Sequence, residues 1–506
     1  MILSRRSFLG TGTAAAGAAL VPALARPQTV RLSADPFSLG VASGYPDETS
    51  LVLWTRLVPE PFAPDGGMPA VPVAVDWELA ADERFAAVVA RGSAIAEPEL
   101  AHSVRVEVGG LAPDRRYWYR FRGAGAESPV GRSRTAPAAG ADVAGARFGV
   151  ASCQHYESGH YAAFRAMADE DLDLIIHVGD YIYENAGVSR VRAHSLPDAV
   201  TLADYRQRYA LYKSDPSLKA AHAAAPWIVT WDDHEVDNDY AAAFSEDDQD
   251  VDAFLARRAA AYQAYFEHQP MPMRMRPAGG APIYTRQAFG GLVDVYVLDG
   301  RRYRSRQACS YGLAEPCAEL ETPGRTMLGA AQEAWLTDSL AARRPRFTLI
   351  AQQTVFAAMD QRPGPGIGYW TDGWSGYPAA RARLIDCFTD RRVPNPVILS
   401  GDLHAWLVND VHGTPGDIDS AVVATELVTT SISSGGPPQA RVDGWRAENP
   451  NVRFANSERR GYTRLTVTRD RLDAELVAVD DVADPASDTS VLGAWHVLDG
   501  RPGALP

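Results

Sequence analysis

One stretch limits what this chain can fold into more than any other. From Arg147 to Glu184 it reads RFGVASCQHYESGHYAAFRAMADEDLDLIIHVGDYIYE. The apolar run Phe148–Ala151 stops at Ser152-Cys153, a helical segment follows, and a second apolar run, Leu174–Val178, stops at Gly179-Asp180. Short continuous apolar runs bounded by turn residues mark buried strands, and a helix between two of them makes a βαβ unit with parallel strands. Sites in open α/β sheets form at the carboxyl ends of the strands. Both runs end in a potential metal ligand, Cys153 and Asp180, with Tyr181 and Tyr183 close behind. The stretch predicts a metal-dependent hydrolase.

The pattern recurs downstream. Trp227–Thr230 leads into Trp231-Asp232-Asp233-His234-Glu235, and Pro396–Ser400 leads into Gly401-Asp402-Leu403-His404. Phe347–Ala351 ends at Gln352-Gln353, and Val293–Leu298 at Asp299. Helical spacing is expected over 198–224, 251–268 and 332–340, with Tyr262, Tyr265 and Phe266 as core, and the alternation from Tyr462 to Val479 predicts terminal strands. His177, inside its strand, reads as a buried histidine rather than a ligand. Before the βαβ unit the period changes to two. Leu51–Thr55, Val71–Trp77, Ser103–Val108 and Tyr117–Phe121 alternate and are separated by turn residues. Residues 30–140 therefore resemble a fibronectin-III-like β-sandwich, with Arg134–Gly140 as the linker to a second domain at 146–506. A carbohydrate- or partner-binding role for the first domain is the alternative, though no chemistry clusters there.

The N-terminus carries an address. Ser4-Arg5-Arg6-Ser7-Phe8-Leu9 precedes a Gly/Ala-rich apolar run that ends at Ala23-Leu24-Ala25, a small-x-small cleavage pattern. Residues 1–25 read as a twin-arginine signal peptide, which implies the twin-arginine export machinery as a partner and a periplasmic or secreted location. The run is too short and too rich in glycine and alanine to span a membrane well. That route carries folded proteins, in keeping with a cofactor already in place. With 506 residues the chain has room for two or three domains, and a formal net charge of −14 argues against a nucleic-acid-binding surface. Of the four cysteines, Cys309 and Cys317 are close enough in sequence to bridge in an oxidising compartment. Cys387 lies in a helical pattern as a small hydrophobe, and Cys153 is left without a partner.

Taken together, GD at Gly179-Asp180, DHE at Asp233-His234-Glu235 and GDLH at Gly401–His404 resemble the calcineurin-like metallophosphoesterases, with Asp233 where that superfamily usually has Asn. The fuller wording, including ASCQH, HVGDYIYE, TWDDHEVDND, RTMLGAAQEAWL, LSGDLHAW and TELVTTSISSGG, is similar to the PhoD-type alkaline phosphatase/phosphodiesterase family over nearly the whole mature chain. The resemblance implies an α/β fold, a four-layer α/β/β/α sandwich preceded by the β-sandwich. It implies that Asp180 bridges two metals, that Cys153, Tyr183 and His404 complete a site for Fe(III), and that Asp233 and Asp402 hold Ca(II). It also suggests that Asn238, or its neighbour Asp237, helps hold a further calcium or the phosphate. Gln352-Gln353 stand where the wider superfamily has a histidine, which lowers the case for zinc or manganese.

These residues give an expected activity: hydrolysis of small phosphate mono- or diesters at alkaline pH by a metal-activated hydroxide. His234 is the candidate general acid, with an orienting role as its alternative. Arg190, Arg192 and His194 are read either as a phosphate pocket or as a solvated loop, and Trp370, Trp374 and Tyr377 either as a substrate rim or as structure. Two other functions stay open: a phospholipase D-like activity on lipid headgroups, and a non-catalytic binding protein on the same scaffold. The second would predict a broken ligand set.

Overall fold

The βαβ unit forms where the sequence places it. The strand Gly145–Ala151, the helix Ala162–Asp169 and the strand Leu174–His177 follow in order, and the two strands pair in parallel with Leu174 opposite Phe148 and His177 opposite Ala151. The structure, a computed structural model, describes residues 30–506 apart from 33, 188, 189, 278 and 279. The expected twin-arginine signal lies outside the described residues. No described helix is long and apolar enough to cross a membrane.

Two large sheets carry the site. The first has ten strands, with Gly145–Ala151, Leu174–His177 and Pro226–Val229 at its centre and the C-terminal strands Arg460–Thr468, Arg471–Val479, Thr489–Leu498 and Arg501–Leu505 along one side. The second has seven, including the parallel run Val293–Val297, Phe347–Ala351, Pro396–Ser400 and Val422–Val428. Alternation decides which face meets which layer. Val295, Leu349 and Leu399 share a core with Phe148, Val150 and Leu465 of the first sheet. Their neighbours Tyr296, Ile350 and Ile398 point the other way and meet Leu336, Leu340, Leu384 and Ile385 on the helices Gly329–Ala342 and Pro378–Asp390. The helices Ala162–Asp169, Pro216–Ala224 and Val251–His268 belong with the first sheet, where Trp227 stacks on His222 and packs against Phe164.

Two readings of the sequence gain detail here. The strands of residues 30–140 face one another across a core of their own, which includes Leu51, Leu53, Val75, Leu79, Val106 and Tyr119. Strands Val73–Ala80, Val88–Ala96, Arg116–Gly123, Ala126–Glu127 and Gly131–Arg134 form a sheet of their own. The facing strands Val41–Gly44, Leu51–Arg56 and Ser103–Val108 are instead the far edge of the ten-stranded sheet, through parallel pairing of Ser43 with Pro226 and Gly44 with Trp227. Alternation reports which faces are buried; it cannot say whose strand lies alongside. The single helix expected over 198–224 is two, Leu202–Lys213 and Pro216–Ala224, because Asp215 caps the second by accepting from the amides of Ser217 and Leu218 while Pro216 starts it. Asp at the N-cap and Pro at the first helical position begin a helix more readily than they continue one.

Cys309 and Cys317 are disulfide-bonded, with Cα atoms 5.8 Å apart, whereas Cys153 and Cys387 are free and buried. The bridged loop carries the short strand Leu313–Ala314, which pairs with Tyr369–Trp370.

Candidate metal centre

Each cluster at the centre sits where a strand stops. Cys153, Asp180, Asp402 and His404 all adopt left-handed backbone conformations, with φ of 58°, 57°, 63° and 57°. For residues other than glycine this is uncommon, and such strain concentrates at functional sites. Its effect is to turn the chain sharply at the sheet edge. Gly179, at φ 116°, completes one of these turns, and a Cβ there would meet Asp232 Cβ at 2.4 Å.

The turns bring four segments together. Ligand-type atoms of Cys153, Asp180 and His404 lie within 4.8 Å of one another, and the same holds for Asp180, Asp233 and His234 and for Asp232, Asp233 and Asp402. Tyr183 joins the first group: its hydroxyl donates to Asp180 Oδ2 at 2.8 Å and lies 3.0 Å from His404 Nε2. His404 Nδ1 is 2.8 Å from the Gly435 carbonyl, which fixes the proton on Nδ1 and leaves Nε2 as a lone pair facing the cluster. Ser434 Oγ is within hydrogen-bonding distance of the Cys153 carbonyl and the Tyr183 hydroxyl, tying two strand ends together.

Behind the ligands the braces are charged. The Glu235 carboxylate accepts from the amides of Asp180 (3.1 Å), Tyr181 (2.5 Å) and Asp232 (2.7 Å), locking two of the turns to each other. Glu184 Oε2 holds His234 Nδ1 at 2.8 Å, and the His234 ring lies over Tyr183 with centroids 4.1 Å apart. Arg301, fully buried, donates Nε to Asp232 Oδ1 (2.5 Å) and Nη1 to Asp372 Oδ1 (2.9 Å), and its Nη2 is ion-paired at 2.7 Å with Asp372 Oδ2 and at 3.4 Å with Asp233 Oδ1.

The electrostatics are those of a carboxylate cluster short of positive charge. Burial, reinforced by neighbouring carboxylates, pushes Asp180 and Asp402 well above the usual carboxylate range. Burial works the same way on Asp233, but Arg301 and His234 outweigh it and hold that group low. Burial, with Asp180 next, raises the Cys153 thiol and the Tyr183 phenol far above their ordinary values, and burial lowers His404 to about 3. His234 goes up: Glu184, Asp233 and Asp180 together overcome the desolvation that opposes its charge. Asp180 Oδ1 and Asp232 Oδ2 are buried without a hydrogen-bond partner. Such orphaned acceptors are costly unless a cation meets them, so the donor set fits hard or borderline metal ions.

The predicted residues Cys153, Asp180, Tyr183, Asp233, His234, Asp402 and His404 are therefore brought together. Asn238 and Asp237 are not. Asn238 Nδ2 is held by Glu246, and Asp237 is paired with Arg257 at 2.8 Å and with Gln249. Gln352 and Gln353 are braces: Gln352 links Trp374, Thr354 and Ser400, and Gln353 links Thr230, Leu298 and Gly300. Arg192 is taken by Asp215 and stacks on Tyr156, and His194 lies between Tyr212 and Arg208, so neither offers a phosphate pocket. Trp374 and Tyr377 are core, whereas Trp370 is exposed. Sequence reasoning gave no role to Asp232, Asp239, Arg301 and Asp372. Asp239 donates its amide to Asp233 Oδ2 at 2.8 Å, and burial beside Asp372 and Asp233 raises its carboxyl to about 9. Arg301 follows Asp299 at the end of an apolar run, the same signal that marked the other ligands.

An α/β fold with this constellation at its strand ends defines a phosphoesterase, and comparison with known proteins gives the family. Residues 148–476 match the family model described as PhoD-like phosphatase, and residues 23–137 match its N-terminal domain. The chain belongs to the PhoD-like phosphatase family. It is 45% identical over 473 residues to alkaline phosphatase D of Bacillus subtilis, covering 92% of this chain and 81% of that protein. It superposes on the solved structure of PhoD with a TM-score of 0.91 at 43% identity, covering 94% of this chain and 92% of that one.

Proposed function

We propose that the chain is an exported, metal-dependent phosphoesterase that hydrolyses small phosphate mono- or diesters at alkaline pH, on a four-layer α/β/β/α body. The observation that carries this reading is the convergence of Asp180, Asp233, Asp402, His404, Cys153 and Tyr183 from separate strand ends, with buried carboxylate oxygens left unpartnered. Cys153, Tyr183, His404 and Asp180 would hold Fe(III), and Asp180, Asp233 and Asp402 would hold Ca(II). The thiol and phenol favour the first assignment, because thiolate and phenolate ligands add affinity for an acidic metal such as Fe(III). When bound, the cations supply charge for the phosphoryl oxygens and acidify water.

The chain's own groups do the rest. His234, oriented by Glu184 and favoured in its protonated form, is placed to give a proton to the leaving alkoxide. Glu235 and Ser434 keep the turns in register, so the ligands are positioned before substrate arrives. Arg190, whose Nη1 lies 3.5 Å from where a Cβ on Gly435 would sit, stands beside the loop that holds His404 and is placed to meet an anionic substrate. Metal analysis of the purified protein with a visible spectrum tests the assignment. A thiolate- and phenolate-to-iron charge-transfer band is expected; a colourless, iron-free, fully active enzyme would refute it. Asp180→Ala should abolish turnover and lower the content of both metals.

A further inference from the structure

Away from the metal centre, between the helix Val251–His268 and the segment around Arg276 and Arg302, lies a cleft of about 440 Å³. Its polar lining is Gln263 and three arginines, Arg258, Arg276 and Arg302, and its apolar lining includes Leu255, Tyr262 and Phe266. Among the described residues, none of these arginines lies within salt-bridge distance of a carboxylate, although the chain carries a net charge of −14. Arg302 feels the buried Asp299, whose Oδ1 accepts from Trp231 Nε1 and from the amides of Arg301 and Arg302 while its Oδ2 has no hydrogen-bond partner. A further arginine, Arg105, lies 3.9 Å over the Phe266 ring, has a buried Nε without a partner, and feels the carboxylate of Glu267 as well as the charge of Arg276.

The cations are held in place. Arg258 donates Nη1 to the Ala242 carbonyl, Arg302 donates Nη1 to the Ala281 carbonyl at 2.8 Å, and both guanidinium groups face the Tyr262 ring at 5.6 and 5.7 Å. Fixed guanidinium groups recognise phosphoryl oxygens through charge-assisted bonds, and a concave apolar floor with a few convergent polar groups suits a small organic ligand. The cleft is separate from the metal centre: Tyr262 stacks on Trp231, the residue before Asp232, with centroids 4.1 Å apart, and both rings are buried.

We propose that this cleft is a non-catalytic site for an organic phosphate, its phosphoryl group held by Arg258, Arg276 and Arg302 and its apolar part lying on Tyr262 and Phe266. The same chemistry is offered by a soluble phosphomonoester and by a lipid bearing a phosphomonoester headgroup. The probe is phenylphosphonate, whose P–C bond a phosphoesterase does not cleave, titrated calorimetrically into the metal-loaded enzyme. Two bound molecules per chain are expected, one at the metals and one in the cleft. The double variant Arg258→Gln, Arg302→Gln should bind one, and Arg276→Gln should weaken the second class about tenfold or more, all with unchanged turnover of p-nitrophenyl phosphate. A single class in the native enzyme, or two classes surviving in the double variant, overturns the proposal. Inorganic phosphate filling both classes as tightly as phenylphosphonate would overturn the apolar half of it. Co-sedimentation with phosphatidate vesicles that disappears in the double variant would support the same site and identify a lipid as its source.

Discussion

Arg301→Met is the most informative single change. The native side chain is fully buried and holds Asp232 at 2.5 Å and Asp372 at 2.9 and 2.7 Å, with Asp233 at 3.4 Å. Methionine approximates its volume but removes its charge, leaving carboxylates facing one another in a buried space. Removing one partner of a buried ion pair costs about 3–5 kcal/mol, because the other charge is stranded. Measured on the metal-free protein by urea denaturation, the variant should lose about that much, read as a lower midpoint at similar slope. Two controls tie the loss to charge. Asp232→Asn added to Arg301→Met should restore about 1–3 kcal/mol, since Arg301 Nε is the side-chain donor to that buried carboxylate and its loss strands it, and the double-mutant cycle should show coupling. Saturating Ca²⁺ should stabilise the variant more than the native chain, since any ligand that binds only the folded state stabilises it by mass action. A loss under about 1 kcal/mol in the metal-free protein, where breaking a buried pair should cost several times that, would mean that the arginine does not neutralise the cluster.

Two further predictions concern the frame. Replacing Cys309 and Cys317 by serine opens a short loop worth about 2–3 kcal/mol on the chain-entropy model; limited proteolysis should then cut between residues 309 and 317 while turnover persists, and an uncut loop would argue against the bridge as its restraint. Burial lowers His177 to about 3, against an ordinary value near 6.5. The unfolded imidazole then takes a proton that the folded one refuses, so the metal-free protein should lose stability as pH falls from about 6.5 towards 4, by up to about 3 kcal/mol from this group. His177→Phe should flatten that part of the pH–stability curve, and an unchanged slope would show that the charge finds an outlet.

Most of the centre was legible because each ligand ends an apolar run, and a strand buried on both faces leaves a signal in one dimension. Asp180 and Asp402 follow Gly179 and Gly401, and Asp233 follows Trp231-Asp232, at the edge where parallel strands stop. The braces were harder to see. Arg301 meets Asp232 across 69 residues and Asp372 across 71, so no local pattern ties them. Asn238 follows the DHE motif closely in sequence, but its amide goes to Glu184 and its side chain to Glu246. A spacing rule cannot see which way a side chain turns. The same limit applies to the N-terminal strand Val41–Gly44, which pairs with Leu51–Arg56 of its own segment on one side and with residues 226–229 on the other.

The braces also account for where strain sits. Left-handed backbone at Cys153, Asp180, Asp402 and His404 carries a cost that persists only when the surroundings over-determine it. Glu235 meets that need for the Asp180 turn, accepting the amides of Asp180 and Tyr181 together with that of Asp232. Ser434 does so for Cys153, and the Gly435 carbonyl does so for His404 from the next residue along. Each of these partners sits on a different strand end from the turn it holds. The ligand set is thus rigid only when both sheets are in place, and a change that loosens one sheet edge should disturb ligands on the other. Glu235→Gln tests this at a distance. It keeps one acceptor oxygen but turns an NH₂ towards a backbone amide, which strands at least one buried N–H and costs about 1–3 kcal/mol. The expected signature is a loss of metal affinity at Asp180 and Asp233 together, although Glu235 itself contacts backbone amides on the two turns. Loss at only one of the two would show that the turns are held independently.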